Sequence, residues 1–161
     1  MNSGITITVL IIATICSMPF VMMVMNRKKR EKIMINSVTK IADKNDCRLN
    51  DYDVFTNFMI GIDDFNNTLF YANKNQENID VNYINLSEIK NCKVKTITNN
   101  DKKIKGKSSF TMINELNLLL TPFDKPDLKV TFYNSDSNMQ LSNELMVAKK
   151  WSDHINKQLH V

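Results

Sequence analysis

Ile5–Met25 reads ITITVLIIATICSMPFVMMVM, 21 positions without a charged residue, and Arg27-Lys28-Lys29-Arg30 follows after a single asparagine. At about 1.5 Å per residue the run reaches roughly 31 Å as a helix, the thickness of a bilayer's hydrocarbon core. It predicts a transmembrane helix within residues 1–25. A secretory signal would carry basic residues ahead of a shorter apolar core, whereas Met1-Asn2-Ser3-Gly4 has none and the positive charge lies behind the run. Lys and Arg flanking a span stay on the cytoplasmic side. The expectation is therefore a single-pass protein of the cell membrane, N-terminus outside and everything after Asn26 in the cytoplasm. Cys16 does not fit a lipoprotein site, because Ile15 stands where a small residue is needed. Pro19 removes one helical donor and is expected to bend the helix. Thr6, Thr8, Thr14 and Ser17 can bond to a neighbouring span or back to their own helix, so the oligomeric state stays open.

The 161 residues leave room for one compact domain beyond the span. Between Asn26 and Asp46 seven Lys/Arg face three acidic residues, which accounts for the whole net charge of +4 and leaves the chain from Cys47 onward neutral. Without concentrated positive charge on the folded part, nucleic acid is not an expected partner. Three cysteines, Cys16, Cys47 and Cys92, form neither a CxxC motif nor an evident disulfide framework. With two histidines near the C-terminus they give no metal-ligand spacing, so neither metal nor cofactor is expected.

Residues 26–46 predict a basic amphipathic juxtamembrane helix, with Met34, Ile35, Val38, Ile41 and Ala42 on one face. The stripe is expected to pack on the domain, with the basic cluster acting as a stop signal. The alternative is that Arg27, Lys28, Lys29 and Arg30 lie against anionic headgroups as a membrane-surface site.

From Cys47 the pattern changes to short alternating runs. Arg48 to Phe55 is a weak first strand. Phe58, Ile60 and Ile62 alternate, Asp63-Asp64-Phe65-Asn66-Asn67 turns the chain, and Thr68 to Tyr71 returns. Ile79, Val81 and Tyr83 make a fourth run, Cys92, Val94 and Thr96 a fifth, Leu116, Leu118 and Leu120 a sixth, and Leu128, Val130 and Phe132 a seventh. The polar stretch 98–109 is expected to be an exposed loop. Ser137 and Gln140 form a capping box ahead of a final helix with its stripe at Leu141, Leu145, Ala148, Trp151 or Ser152, Ile155 and Leu159. That helix must cover the preceding sheet. The expected fold class is α+β: an N-terminal transmembrane helix, then an antiparallel sheet or open barrel of about seven strands capped by a C-terminal helix.

This order, with Trp151 in AKKWSDHIN, the preceding strand LKVTFYNSD and the segment YINLSEIKNCKV, resembles small bacterial single-span membrane proteins with a pleckstrin-homology-like cytoplasmic domain. The resemblance implies two antiparallel sheets over residues 47–161 and makes Trp151 a helix plug in the core, not a ligand platform. The family's phosphoinositide binding uses basic residues in the first strand and the loop after it, and the acidic turn at Asp63-Asp64 departs from that. A possible anion-binding loop lies instead at Lys102, Lys103, Lys105 and Lys107, where the bland reading is a solvated loop.

Chemistry finds little support. Asp63-Asp64 is read as turn-forming through local hydrogen bonds, and His154 and His160 as surface or frayed-end residues. Cys92 lies between Lys93 and Lys95, which could activate a thiol, but strand alternation points it away from both, toward a core. Two N-x-[ST] triplets, at Asn66 and Asn85, would matter only in a glycosylating lumen. The functional expectation is a non-catalytic, single-pass membrane protein displaying a cytoplasmic interaction domain that binds a membrane or cytoplasmic protein. One alternative is peripheral recognition of anionic lipid by the basic juxtamembrane segment and the Lys102–Lys107 loop. A second, resting on Cys92, is an enzyme of unrecognised type.

Overall fold

A computed structural model of the chain describes residues 3–75, 78–98, 113–136 and 143–159. The fold is α+β: a long N-terminal helix, two antiparallel sheets of four and three strands, and a C-terminal helix. The Lys102–Lys107 loop, the Ser137/Gln140 capping box and His160 lie outside the described residues.

Helix α1 (Ser3–Lys44) runs 42 residues without interruption, so the span and the juxtamembrane helix read from the sequence are one element. Pro19 lies inside it without ending it. Every side chain from Ile11 to Met25 is exposed, including Ile15, Phe20 and Met23. Among the described residues nothing covers this stretch, and by length and composition the helix is long and apolar enough to cross a membrane. The character changes after Arg30. Met34, Val38 and Ala42, spaced by four, are at most 1% exposed, and pack with Cys47, Met59, Phe70 and Ala72. The helix ends where Asp46 takes a left-handed φ of 55°, letting the Cys47 amide bond back to the Ala42 carbonyl at 3.0 Å.

The first sheet is the meander β1 (Asp51–Val54), β2 (Phe58–Asp63), β3 (Thr68–Asn75) and β4 (Asn78–Asn85). A 3-10 turn at Leu86–Glu88 leads into the second sheet, β5 (Ile89–Thr98), β6 (Ile113–Pro122) and β7 (Leu128–Asn134). Phe58, Ile60, Ile62, Leu69 and Ile84 from the first sheet meet Cys92, Leu116, Leu118, Leu120, Val130 and Phe132 from the second in one core. Helix α2 (Glu144–Leu159) adds Ala148, Trp151 and Ile155 to that core, as its stripe requires. The opposite face of the first sheet, through Met59, Phe70, Ala72 and Val81, packs on α1. All six residues of β2 are consequently buried. Gly61 faces this crowded side: a β-carbon there would lie 3.0 Å from Leu49 Cδ2 and 3.2 Å from Tyr52 Cβ.

The turn Asp63–Asn67 joins β2 to β3, while the connection after β1 is the shorter Phe55-Thr56-Asn57, also without a basic residue. Asp63 is 1% exposed and organises its turn. One carboxylate oxygen accepts from the Arg48 amide at 2.7 Å and Asn66 Nδ2 at 2.8 Å, and the other from the Phe65 and Asn66 amides at 2.9 and 3.0 Å. Burial pushes its pKa up, but these four donors outweigh it and hold the carboxyl below its ordinary value. Both sequon asparagines have structural work: Asn66 grips Asp63, and Asn85 Oδ1 accepts from the Ser87 amide to cap the 3-10 turn.

Candidate functional site

Four consecutive residues on a helix point about 100° apart, so Arg27, Lys28, Lys29 and Arg30 form a collar around α1. All four are exposed. Arg27 Nε donates to Glu31 Oε1 at 2.9 Å, one turn along, and the pair is too exposed to add much stability. The collar separates the uncovered apolar length of α1 from the length packed on the first sheet.

The face carrying Met34, Val38 and Ala42 continues back toward the N-terminus through Arg30, Arg27, Met23 and Pro19, at spacings of three and four. There the seam between helix and sheet opens into a groove of about 520 Å³. One wall is α1, with Pro19, Met22 and Met23 at its apolar end and Arg27 and Arg30 at its charged end. The other is Phe55-Thr56, in the turn after β1. Phe55 is held from behind by Phe58 and Phe132, with ring centroids 6.0 and 6.2 Å away, so this wall is anchored in the core.

Helix α2 is stitched to both sheets. On one side Asn156 Oδ1 accepts from the Cys92 amide at 3.0 Å, while Asn156 Nδ2 and Ser152 Oγ donate to the Cys92 carbonyl at 2.8 and 3.1 Å. These side chains occupy the outer edge of β5 at that position. On the other side Trp151, fully buried, donates its indole N–H to Asp53 Oδ2 at 2.8 Å. Lys150 Nζ lies 3.1 Å from Asp53 and 3.2 Å from Asp51. Burial opposes the Lys150 charge, but the two carboxylates outweigh it and raise the pKa above the ordinary lysine value. His154 stacks on Trp151 with planes 4° apart, and its Nε2 lies 3.0 Å from Asp64 Oδ1. Gln158 Nε2 donates to the Asp64 carbonyl at 2.9 Å. His154 is thus part of a clasp between α2 and the first sheet, not the surface residue expected from the sequence. Asp51 and Asp53 in the weak first strand were the legible hint, two carboxylates on one strand face with no local partner.

Trp151 lies fully buried in the main core, with one polar tether to Asp53. Cys92 is 1% exposed and burial pushes its thiol up to about 12, which disfavours the nucleophilic thiolate near neutral pH. Among the described residues no group of three or more His, Cys, Asp or Glu could hold a metal ion. The arrangement can do two things chemically: present a rigid, tethered domain at the end of an apolar helix, and offer a groove with arginines at one end and apolar side chains at the other. No protein-family model, curated protein or solved structure matches this chain significantly.

Proposed function

We propose that the chain is a single-pass membrane protein that displays a non-catalytic, pleckstrin-homology-like interaction domain on the cytoplasmic face, where it binds a protein partner. The observation that carries this reading is the continuity of α1. From Met25, the last residue of the apolar run, to Met34, the first side chain buried against the sheet, is nine residues of unbroken helix, a rise of about 14 Å. A helix with no break offers no swivel, so the domain is held beside the headgroup layer in one attitude. The basic collar supports the cytoplasmic orientation. The four-plus-three strand order with a buried Trp on the closing helix supports the likeness to the pleckstrin homology arrangement. The outer edge of β4, which carries the exposed Tyr83, offers backbone donors and acceptors for strand addition, whereas α2 covers β5 at Cys92.

Orientation is tested by single cysteines introduced at Asn2 and Asn100, in a background lacking the native three, and exposed in intact cells to a membrane-impermeant thiol reagent. Labelling at Asn2 alone is expected. Labelling at Asn100 alone would overturn the topology. Proximity labelling from the full-length chain should then return a reproducible membrane or cytoplasmic neighbour, and a reproducibly empty result would remove the partner. A second reading, recognition of anionic lipid, is favoured by the groove at Arg27 and Arg30.

A further inference from the structure

We propose that the groove between α1 and the β1–β2 turn seats one anionic glycerophospholipid, its phosphate at Arg27 and Arg30 and its first acyl carbons against Pro19, Met22, Met23 and Phe55. The inference deepens the lipid reading and rests on α1 being a membrane span.

The chemistry of the walls is ordered along the helix axis in the sense a lipid requires. Met23 and Arg27 are one turn apart, about 6 Å of rise, so apolar and cationic surfaces follow one another over the distance from a lipid's upper chains to its phosphate. The apolar end lies on the Ile5–Met25 side, where hydrocarbon would begin, and the arginines lie on the domain side. A soluble partner entering from the cytoplasm would meet the opposite order. About 520 Å³ accommodates a headgroup and the first part of the chains, and the remainder can lie along the uncovered length of α1.

Charge complementarity specifies an anion. Arg30 forms no ion pair among the described residues, and its planar fork suits phosphate oxygens. Glu31, which also lines the groove, is engaged by Arg27 at 2.9 Å, so the carboxylate consumes one positive charge and leaves the other uncompensated. Lys28 and Lys29 belong to the same collar but do not line the groove. That distinction separates a built site from diffuse attraction to an anionic surface.

The test reconstitutes the full-length chain into nanodiscs of phosphatidylcholine containing a minority of phosphatidylglycerol, and counts lipids retained on the protein by native mass spectrometry. One phosphatidylglycerol should be retained in preference to phosphatidylcholine. Retention should fall about fivefold for each of Arg27→Gln and Arg30→Gln, rise for Glu31→Gln, and stay unchanged for Lys28→Gln/Lys29→Gln. Inorganic phosphate should not displace the lipid. Thermal melts of each variant, followed by Trp151 emission, should match the parent, since none of these side chains belongs to either core cluster. Equal losses for the lysine and arginine variants, no headgroup preference, or displacement by inorganic phosphate would each overturn the site while leaving the span intact. Failure of the chain to enter nanodiscs would overturn the span reading, and the site with it.

Discussion

Asp63→Asn changes one buried atom. The wild-type carboxylate receives two donors on each oxygen, at 2.7 and 2.8 Å on one and 2.9 and 3.0 Å on the other. An amide can keep only one of these pairs. The other pair then faces an NH2 group, leaving two donors in a nearly water-free turn without an acceptor. Hydrogen bonds to a charged group contribute about 1.5–3 kcal/mol each, and a buried donor left unmade costs about 1–3 kcal/mol. Allowing for relaxation of the turn, the variant should lose about 3 kcal/mol at pH 7, or about 10 °C in Tm for a domain of this size. Trp151 is the only tryptophan and is fully buried, so its emission reports unfolding of the detergent-solubilised full-length chain directly. The pH dependence supplies an internal check. The Asp63 pKa is lowered from 3.8 by folding. Its contribution is therefore fully present above pH 3.8 and is lost as the pH falls through the lower, folded-state value. The gap between parent and variant should be constant from pH 7 to about pH 5 and close in acid, where a protonated Asp63 resembles an asparagine. A gap below 0.5 kcal/mol at pH 7, against the roughly threefold-larger threshold expected even for one charged hydrogen bond, or a gap that persists unchanged in acid, would refute the assignment of this carboxylate as the turn's anchor.

Three further outcomes follow from the packing. Gly61→Ala should cost about 1–2 kcal/mol by the same melt, because Tyr52 Cβ, only 3.2 Å from the new methyl, cannot swing away as Leu49 Cδ2 can. Trp151→Phe keeps most of the buried surface but removes the donor to Asp53, and should cost about 2 kcal/mol by circular dichroism, with Lys150 now the carboxylate's main partner. Cys92 should react with a small electrophile at pH 7 about a thousandfold more slowly than in denaturant, following the rise of its pKa from 9.0 to about 12. A folded-state rate above that in denaturant would instead favour the enzymatic reading.

The elements with a single buried face were legible. Leu116, Leu118 and Leu120 alternate because β6 shows one side to the core, and the α2 stripe has its three-and-four spacing because only one side of that helix is covered. Where two layers meet the same strand the signal fades. Phe58, Ile60 and Ile62 could be read, and the Met34, Val38 and Ala42 stripe was expected to pack on the domain, but not that it would cover the Met59 face of β2, because nothing local to that strand names its second layer. β1 looked weak because half of its four residues are aspartates committed to partners nearly a hundred positions away on α2. The Arg27–Arg30 cluster was evident as a charge run. Its meeting with Phe55 was not, since that groove joins two segments that no sequence period relates.

The unbroken length of α1 has a geometric corollary. Between Met25 and Met34 the chain behaves as a torsion shaft, and each residue inserted there would turn the domain by about 100° about the helix axis while lifting it about 1.5 Å. Two added residues would present nearly the opposite side of the domain to whatever lies beside the helix, whereas seven would restore the original bearing to within about 20° at a greater height. Azimuth and elevation can thus be varied almost independently in one polypeptide, and an activity that depends on facing a neighbour should oscillate with the number of residues added.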